Sequence, residues 1–288
     1  MSCGSPSSTH FVPALGDSAV TVASFNFPES ELLARLYAGA IRAAGVRVHL
    51  IASAGPREIL EPALHRGLVE LIPEYAGTAV QFLSAGDVPA ASDAALTHRD
   101  LVRELRGTSV VALGPARAQD ANTLVVTSAT ARRYDLHTVS DLARVASGFV
   151  FGGPPECPSR PLCLPGYAQT YGLHFGTFVS LDVGGPLTVQ ALVSGEIDVG
   201  LLFTSDPAIG ERGLVGLHDD RGLQPAENVT PLIRAETLER FGTPLREAID
   251  AVSARLTTSL LVALNGRLLA GVSPSQVAAE WLAQEGLT

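Results

Sequence analysis

The chain contains no lysine, and all 20 of its basic residues are arginines, set against 29 acidic residues. The formal net charge is −9 at pH 7, and no run of cations occurs anywhere in the sequence. Binding to a nucleic-acid backbone requires clustered cations that neutralise phosphates. The composition therefore argues against a nucleic-acid partner.

Long apolar runs are also absent. No stretch reaches the ~18 apolar residues of a membrane-spanning helix, and the longest candidate, "SLLVALNGRLLAGV", is interrupted by Asn265 and Arg267. The 288 residues are 46% hydrophobic, which is enough for one large domain or two smaller ones. The sequence therefore predicts that any contact with a membrane is made through a covalent lipid anchor.

Catalytic motifs are missing as well. The sequence lacks a G-x-S-x-G elbow, a phosphate-binding Walker loop, a G-x-G-x-x-G turn and an H-E-x-x-H helix. Its seven histidines are scattered without metal-ligand spacing, and the pair Asp219-Asp220 is typical of a solvated turn. We expect no enzyme activity, no cofactor and no metal. A ligand-sensing domain of a regulator remains a further alternative, although no DNA-binding segment accompanies it.

Only three cysteines occur. The opening "MSCGSPSST" is similar to the start of a mature bacterial lipoprotein, which predicts an acylated Cys3 and a tether over residues 1–20; an ordinary surface cysteine is the alternative. Cys157 and Cys163 flank five residues of a proline-rich loop, without the further ligands that a zinc site needs. In an oxidising compartment this pair predicts a loop-closing disulfide.

Short apolar runs alternate with amphipathic segments. "VTVASFNF", "VRVHLIA" and "LVELIP" are strand-like, and "PESELLARLYAGAIRAAG" and "PREILEPALHRG" between them are helix-like. The alternation restarts near residue 114 with "NTLVVTS", "GFVFGG", "FVSLDV" and "EIDVGLLF" as strands, and the tail from about residue 229 reads as largely helical. This order predicts an α/β fold.

The two halves repeat one pattern: Gly-Pro, a helix ending in Ala-Leu-x-x-Gly, a strand with an acidic start, and a terminal aromatic. Tyr75 lies eight residues after Gly67, and Phe203 lies eight residues after Gly195. Ligands of open α/β sheets bind beyond the carboxyl ends of the strands. We therefore predict that the two rings face each other across a cleft, the alternative being that each ring caps the core of its own sheet.

Several long stretches carry a family resemblance: "SFNFPESELLARLY", "LIPEYAGTAV", "FGGPPECPSRPLCLPGYAQTYGL" and "LDVGGPLTVQALVSGEIDVGLLFTSDPAI". From about Thr21 to Leu287 the chain resembles the substrate-binding proteins of bacterial ABC importers for glycine betaine, carnitine and choline. The resemblance implies a type II periplasmic-binding fold, an α/β fold with two lobes around a ligand cleft. Lobe 1 would comprise residues 21–113 and 216–288, lobe 2 residues 114–215, with two crossovers near Gly114 and Gly216.

The same resemblance implies partners and a location. It predicts an extracytoplasmic, lipid-anchored monomer that delivers its solute to the transmembrane subunits of an ABC permease and their ATPase. In this family a cage of tyrosines holds a quaternary ammonium group, which has no N–H to donate and binds to ring faces instead. A basic residue holds the carboxylate of betaine-like ligands.

Carried over by position, the cage is altered. Tyr75, Thr78, Asp120 and Arg160 match family positions. Asn122 and Glu227 stand where the family often has tyrosines, Phe203 lacks a hydroxyl, and Phe25 replaces a lysine. The predicted ligand-binding set is Phe25, Asn26, Tyr75, Thr78, Asp120, Asn122, Arg160, Phe203, Thr204 and Glu227.

Two ligand classes fit this set. With the lysine lost and Glu227 gained, the site favours a choline-like cation over a betaine. Alternatively the aromatic residues stack on a flat ring, and the polar residues bind the hydroxyls of a phenolic compound. Ring stacking and hydrogen bonding contribute about 1 kcal/mol each per contact, so these energies do not separate the two classes.

Overall fold

The computed structural model describes residues 19–89 and 91–288. Cys3 and nearly all of the predicted tether lie outside the described residues. Residues 19 and 20 already belong to the first strand.

The first sheet has five strands in the order β2-β1-β3-β10-β4. Its first half is built from β1 (Ala19–Phe25), α1 (Pro28–Ala43), β2 (Arg47–Gly55), α2 (Arg57–His65), β3 (Leu71–Tyr75), α3 (Ala76–Leu83), α4 (Ala94–Glu104) and β4 (Val110–Ala112). Strands β1, β2 and β3 are parallel, whereas β10 (Val229–Arg234) is antiparallel to β3 and β4.

Helix α1 illustrates why these elements form where they do. Pro28 occupies the first turn, where its missing N–H costs nothing, and Glu29 and Glu31 complement the positive end of the helix dipole. The helix ends before Gly45, whose φ of +81° suits glycine. One face is buried in the first core, including Leu32, Leu33, Leu36, Tyr37 and Ile41.

The second sheet also has five strands, in the order β7-β6-β8-β5-β9. It comprises β5 (Asn122–Thr127), α5 (Ser128–Tyr134), two short 3-10 helices (Val139–Arg144 and Ala146–Gly148), β6 (Val150–Gly153), α6 (Leu164–Tyr171), β7 (Thr177–Ser180), α7 (Pro186–Ser194), β8 (Val199–Phe203), α8 (Ala208–Glu211) and β9 (Leu214–Gly216). The segment "VSDLARVA" contains the first 3-10 helix and the first residue of the second.

The C-terminal part returns to the first sheet. Strand β10 enters its middle, and α9 (Ala235–Arg255, interrupted at Gly242), α10 (Thr258–Leu269) and α11 (Pro274–Gln284) pack around the same core. The tail is thus largely helical, but it begins with a central strand.

The chain passes between the sheets twice, between β4 and β5 and between β9 and β10. Leu217 and Leu223, which follow β9, still pack in the core of the second sheet. In the described part of the chain, no helix is long and apolar enough to cross a membrane.

Candidate functional site

The two sheets meet at equivalent strand ends. Strand β3 ends at Tyr75 and β8 ends at Phe203. The antiparallel neighbour of each strand is the one that enters from the other sheet, so Val229 of β10 pairs with Tyr75 and Asn122 of β5 pairs with Phe203. This topology delivers both crossing segments to the aromatic ends of β3 and β8.

A cavity lies at this junction, lined by residues of both sheets. Seven of the predicted ligand-binding residues line it: Tyr75, Thr78, Asp120, Asn122, Arg160, Phe203 and Glu227.

The other three predicted residues do not line this cavity, and their part in ligand binding stays a prediction. Phe25 is only 3% exposed, and the guanidinium of Arg57 covers its ring at 5.0 Å from the centroid. Asn26 is exposed and, with Phe25, borders a small adjoining pocket. Thr204 follows the end of β8 in a turn and is exposed; its hydroxyl accepts a hydrogen bond from the N–H of Ala121.

Phe27 is the aromatic residue that sequence reasoning missed. Its ring centroid lies 6.0 Å from that of Tyr75 and 5.3 Å from that of Phe203, with tilted planes. Tyr75 and Phe203 both line the cavity as predicted, but Phe27 bridges them. We call Phe27, Tyr75 and Phe203 the aromatic cluster. The signal for Phe27 was its place between the end of β1 and the start of α1 at Pro28.

A glycine permits this arrangement. Gly184 has φ +59°, and a Cβ there would meet the Phe203 ring at 2.7 Å. Glycine adopts this backbone without strain and leaves room for the ring. The loop before α7 can therefore lie flat against the aromatic cluster.

The Tyr75 hydroxyl points away from the ligand space. It donates to Oε1 of Glu29 at 2.7 Å, and burial followed by the Glu29 charge raises the pKa of Tyr75 well above its usual value. The phenol therefore stays protonated, and the ring rather than the hydroxyl serves the cavity.

Glu227 places a carboxyl group in the wall. It accepts hydrogen bonds from the Thr78 N–H at 3.0 Å and from the Thr78 hydroxyl. Burial raises the pKa of Glu227 to about 7, although the Thr78 hydrogen bonds oppose the shift. Near neutral pH this carboxyl group thus exchanges between its neutral and charged forms.

Asp120 is a second buried acid, 4% exposed. Its Oδ1 accepts from the Ser205 N–H at 2.8 Å, whereas its Oδ2 has no hydrogen-bond partner among the described residues. Burial and the neighbouring Glu29 raise the pKa of Asp120 well above its usual value. An atom with unused hydrogen-bonding capacity therefore lies in the cavity wall.

Both arginines of the cavity wall already have carboxylate partners. Arg57, which sequence reasoning missed, forms a buried bidentate pair with Glu74 at 2.5 and 2.9 Å. Arg160, expected to hold a ligand carboxylate, instead pairs with Glu58 of α2 at 3.1 and 2.9 Å. That pair joins the loop after β6 in the second sheet to a helix of the first.

The loop that carries Arg160 is closed by a disulfide. Cys157 and Cys163 are joined, with their Cα atoms 5.3 Å apart. Both cysteines line the cavity, so the bridge fixes the wall from which Arg160 extends. Within residues 19–89 and 91–288, no cluster of three or more potential ligands is arranged to hold a metal ion.

Comparisons with known proteins agree with this geometry. A family model described as the substrate binding domain of an ABC-type glycine betaine transport system matches residues 18–284. The glycine-betaine-binding protein of Pseudomonas aeruginosa is 26% identical over 271 residues, covering 91% of this chain and 86% of that protein. The glycine betaine-binding protein YehZ of Escherichia coli is 24% identical over 287 residues, covering 96% and 94%.

Among solved structures, a glycine betaine/carnitine/choline ABC transporter protein superposes with a TM-score of 0.72 at 23% identity, over 93% of this chain and 99% of that one. At this level of identity the likeness is evidence of fold. The type II periplasmic-binding fold expected from the sequence is confirmed.

Proposed function

This chain belongs to the family of substrate-binding domains of ABC-type glycine betaine transport systems, and from that membership we propose which solute it binds. It is a solute-binding component of an ABC importer for glycine betaine, choline or carnitine-type solutes, and not an enzyme. We propose that the solute is a small quaternary ammonium cation without a carboxylate, of the choline type.

One observation carries the proposal: the aromatic cluster lies beside buried carboxyl groups, while the arginines of the cavity are engaged elsewhere. Phe27, Tyr75 and Phe203 offer ring faces, which attract cations by about 0.5–2 kcal/mol each. Asp120 and Glu227 add carboxyl groups in the same wall, and a cation beside them favours their charged forms. A desolvated cation is stabilised by both.

A carboxylated ligand fits less well. It would lie beside Asp120 and Glu227 and would need Arg57 or Arg160 to leave a bidentate partner. Removing Arg57 from Glu74 would strand a fully buried carboxylate, which typically costs about 3–5 kcal/mol. The family's lysine, which could hold such a ligand, is Phe25 here.

No observation favours the phenolic alternative. Several hydroxyls would need several free donors and acceptors, yet apart from Asp120 the polar residues are engaged: Glu227 is bonded to Thr78, Arg160 to Glu58, and the Asn122 amide to Gln224. Such a ligand would have to replace existing hydrogen bonds.

The lobes and their closure are part of the proposal. We assign lobe 1 to residues 21–113 together with residues 229–288, and lobe 2 to residues 114–223. Because Leu217 and Leu223 pack with the second sheet, we move the second crossover from Gly216 to residues 224–228. Rotation about the two crossovers would open and close the cavity.

The transport partners follow from the family. Its members are extracytoplasmic binding proteins, and we propose that this one is a monomer that presents its closed lobes to the permease subunits and their ATPase. We also propose that a lipid on Cys3 holds it at the membrane surface. Metabolic labelling with a fatty acid tests the anchor, since the variant Cys3→Ala would lose the label.

A thermal-shift screen tests the ligand class. A ligand that binds only the folded state stabilises it by about 2.7 kcal/mol at a concentration of 100 times Kd. We expect choline to raise Tm most, glycine betaine less, and phenolic compounds not at all. A rise in Tm with phenolic compounds alone would contradict the assignment.

A further inference from the structure

Glu29 is a buried carboxylate that touches the aromatic cluster without lining the main cavity. It lies in the first turn of α1 and is 5% exposed. Its Oε1 accepts from the Tyr75 hydroxyl at 2.7 Å, and its Oε2 accepts from the Ser205 hydroxyl and the Asn265 amide, each at 2.5 Å. All three donors are neutral.

Glu29 forms no ion pair with any cation of residues 19–89 and 91–288. Arg57 and Arg160, the arginines nearest the cavity, pair with Glu74 and Glu58, and none of the ion pairs found in the described ranges includes Glu29. The amino-terminal end of α1 favours a negative charge at this position but supplies no counter-ion. A buried charge is costly unless it is paired. The missing counter-charge is therefore expected to come from outside the chain.

Asp120 gives an independent indication of where that charge would lie. Ser205 joins the two acids, since its hydroxyl donates to Glu29 and its N–H donates to Asp120 Oδ1. Asp120 is more than nine-tenths buried, lines the cavity, and leaves its Oδ2 without a partner in the described chain. The acidic pair thus includes an unused acceptor on a residue that lines the same cavity as Tyr75 and Phe203.

We propose that Glu29 is a positioning and specificity-determining residue: it orients the Tyr75 ring through the phenol hydroxyl and, together with Asp120, supplies the buried negative charge that the ligand's cation neutralises. When a phenol donates a hydrogen bond to a carboxylate, electron density shifts from its hydroxyl into the ring. This shift strengthens the attraction of the ring face for a cation. Ser205 follows β8 of the second sheet, so its hydrogen bond to Glu29 forms only when the two halves lie together. This inference rests on the proposed function.

The test separates charge from shape. Calorimetry is run with choline and with 3,3-dimethylbutan-1-ol, its neutral isostere, on the wild type, Glu29→Gln and Asp120→Asn. We expect each variant to lose at least about tenfold in choline affinity while binding of the neutral isostere changes less than about twofold. Glu31→Gln is the matched control, because Glu31 shares the first turn of α1 but pairs with Arg35 instead.

A double-mutant cycle tests the route through Tyr75. In the Tyr75→Phe background the further effect of Glu29→Gln should shrink, since the hydroxyl contact is already gone. Equal losses for choline and its isostere would assign Glu29 a purely structural role and overturn the inference alone. A wild type that binds no quaternary ammonium solute would overturn the proposed function and this inference together. Asp120→Asn prevents the ionisation that a bound cation favours at Asp120, and it leaves the Glu29 side chain in place, so the test stands even if Glu29→Gln unfolds.

Discussion

Choline affinity is expected to rise with pH through the range in which Glu227 ionises. Burial raises the pKa of Glu227 to about 7, so this carboxyl group is mostly protonated at pH 6 and mostly charged at pH 8. A cation in the same cavity favours the charged form. In the limit where only that form binds, affinity falls about tenfold for each pH unit below 7 and levels off above it.

The stability of the ligand-free protein has the opposite dependence. The folded-state pKa of Glu227 lies above its ordinary value of 4.5, so the folded state holds this proton more tightly than the unfolded state does. The resulting contribution to the free energy of unfolding is fully present below pH 4.5 and is lost as pH rises through about 7. At 1.36 kcal/mol per unit, the shift corresponds to about 3 kcal/mol. Choline should therefore recover at pH 8 part of the stability that the free protein loses.

Calorimetry in two buffers of different ionisation enthalpy measures both affinity and protons released. At pH 7 we expect the release of about half a proton per choline bound, falling toward zero at pH 8.5. Glu227→Gln should remove the part of the release that centres on pH 7, and Glu247→Gln on α9 serves as the matched control. A pH-independent affinity without proton release would refute the reasoning.

Four further outcomes are expected. Phe27→Leu should weaken choline binding by about 1–2 kcal/mol in calorimetry, because one ring face is lost; unchanged affinity would remove Phe27 from the cage. Glu227→Tyr should preserve or tighten choline binding at pH 6, where Glu227 is mostly protonated and the new residue adds a ring face, and should remove the rise in affinity toward pH 8; a clear loss at pH 6 would place position 227 outside the cage. Arg160→Gln should change choline affinity less than about threefold, since the exposed Glu58 pair contributes about 0–1 kcal/mol; a larger loss would give Arg160 a direct ligand role. Protein purified without reductant should show no reactive thiol from Cys157 or Cys163 under denaturing conditions, and two such thiols would contradict a stable disulfide.

Local sequence patterns were sufficient to predict most of the strands and helices of the fold. Helix α1 was predicted from its proline start and glycine stop, and β3 and β8 were predicted with the correct terminal aromatics. The repeat was informative because Gly67 and Gly195 both have positive φ, which few residues other than glycine adopt readily.

The central position of strand β10 could not be predicted from its own sequence. Pro231 argues against a central strand because proline cannot donate to the sheet. In the structure Pro231 lies opposite Pro73 of β3, so neither residue demands a donor from the other, and the carbonyl of Pro231 accepts from Leu113. Such compensation between residues far apart in sequence has no local signal.

The sequence did not predict those parts of the site that depend on contacts between the two halves of the chain. Arg160 and Glu58 are 102 residues apart, and nothing in either segment indicates that the two will meet. Phe27 and Glu29 flank Pro28 at the start of α1 and read as ordinary helix-entry residues. Only the tertiary arrangement places them against Tyr75.

The most direct test of the account compares choline with glycine betaine by calorimetry on the wild-type protein at pH 8. The two solutes share a trimethylammonium group and differ in the carboxylate. We predict that choline binds at least about tenfold more tightly, because the carboxylate would face Asp120 and Glu227 without a free arginine. Equal or tighter binding of glycine betaine would contradict the central claim that this cavity selects a cation without a carboxylate.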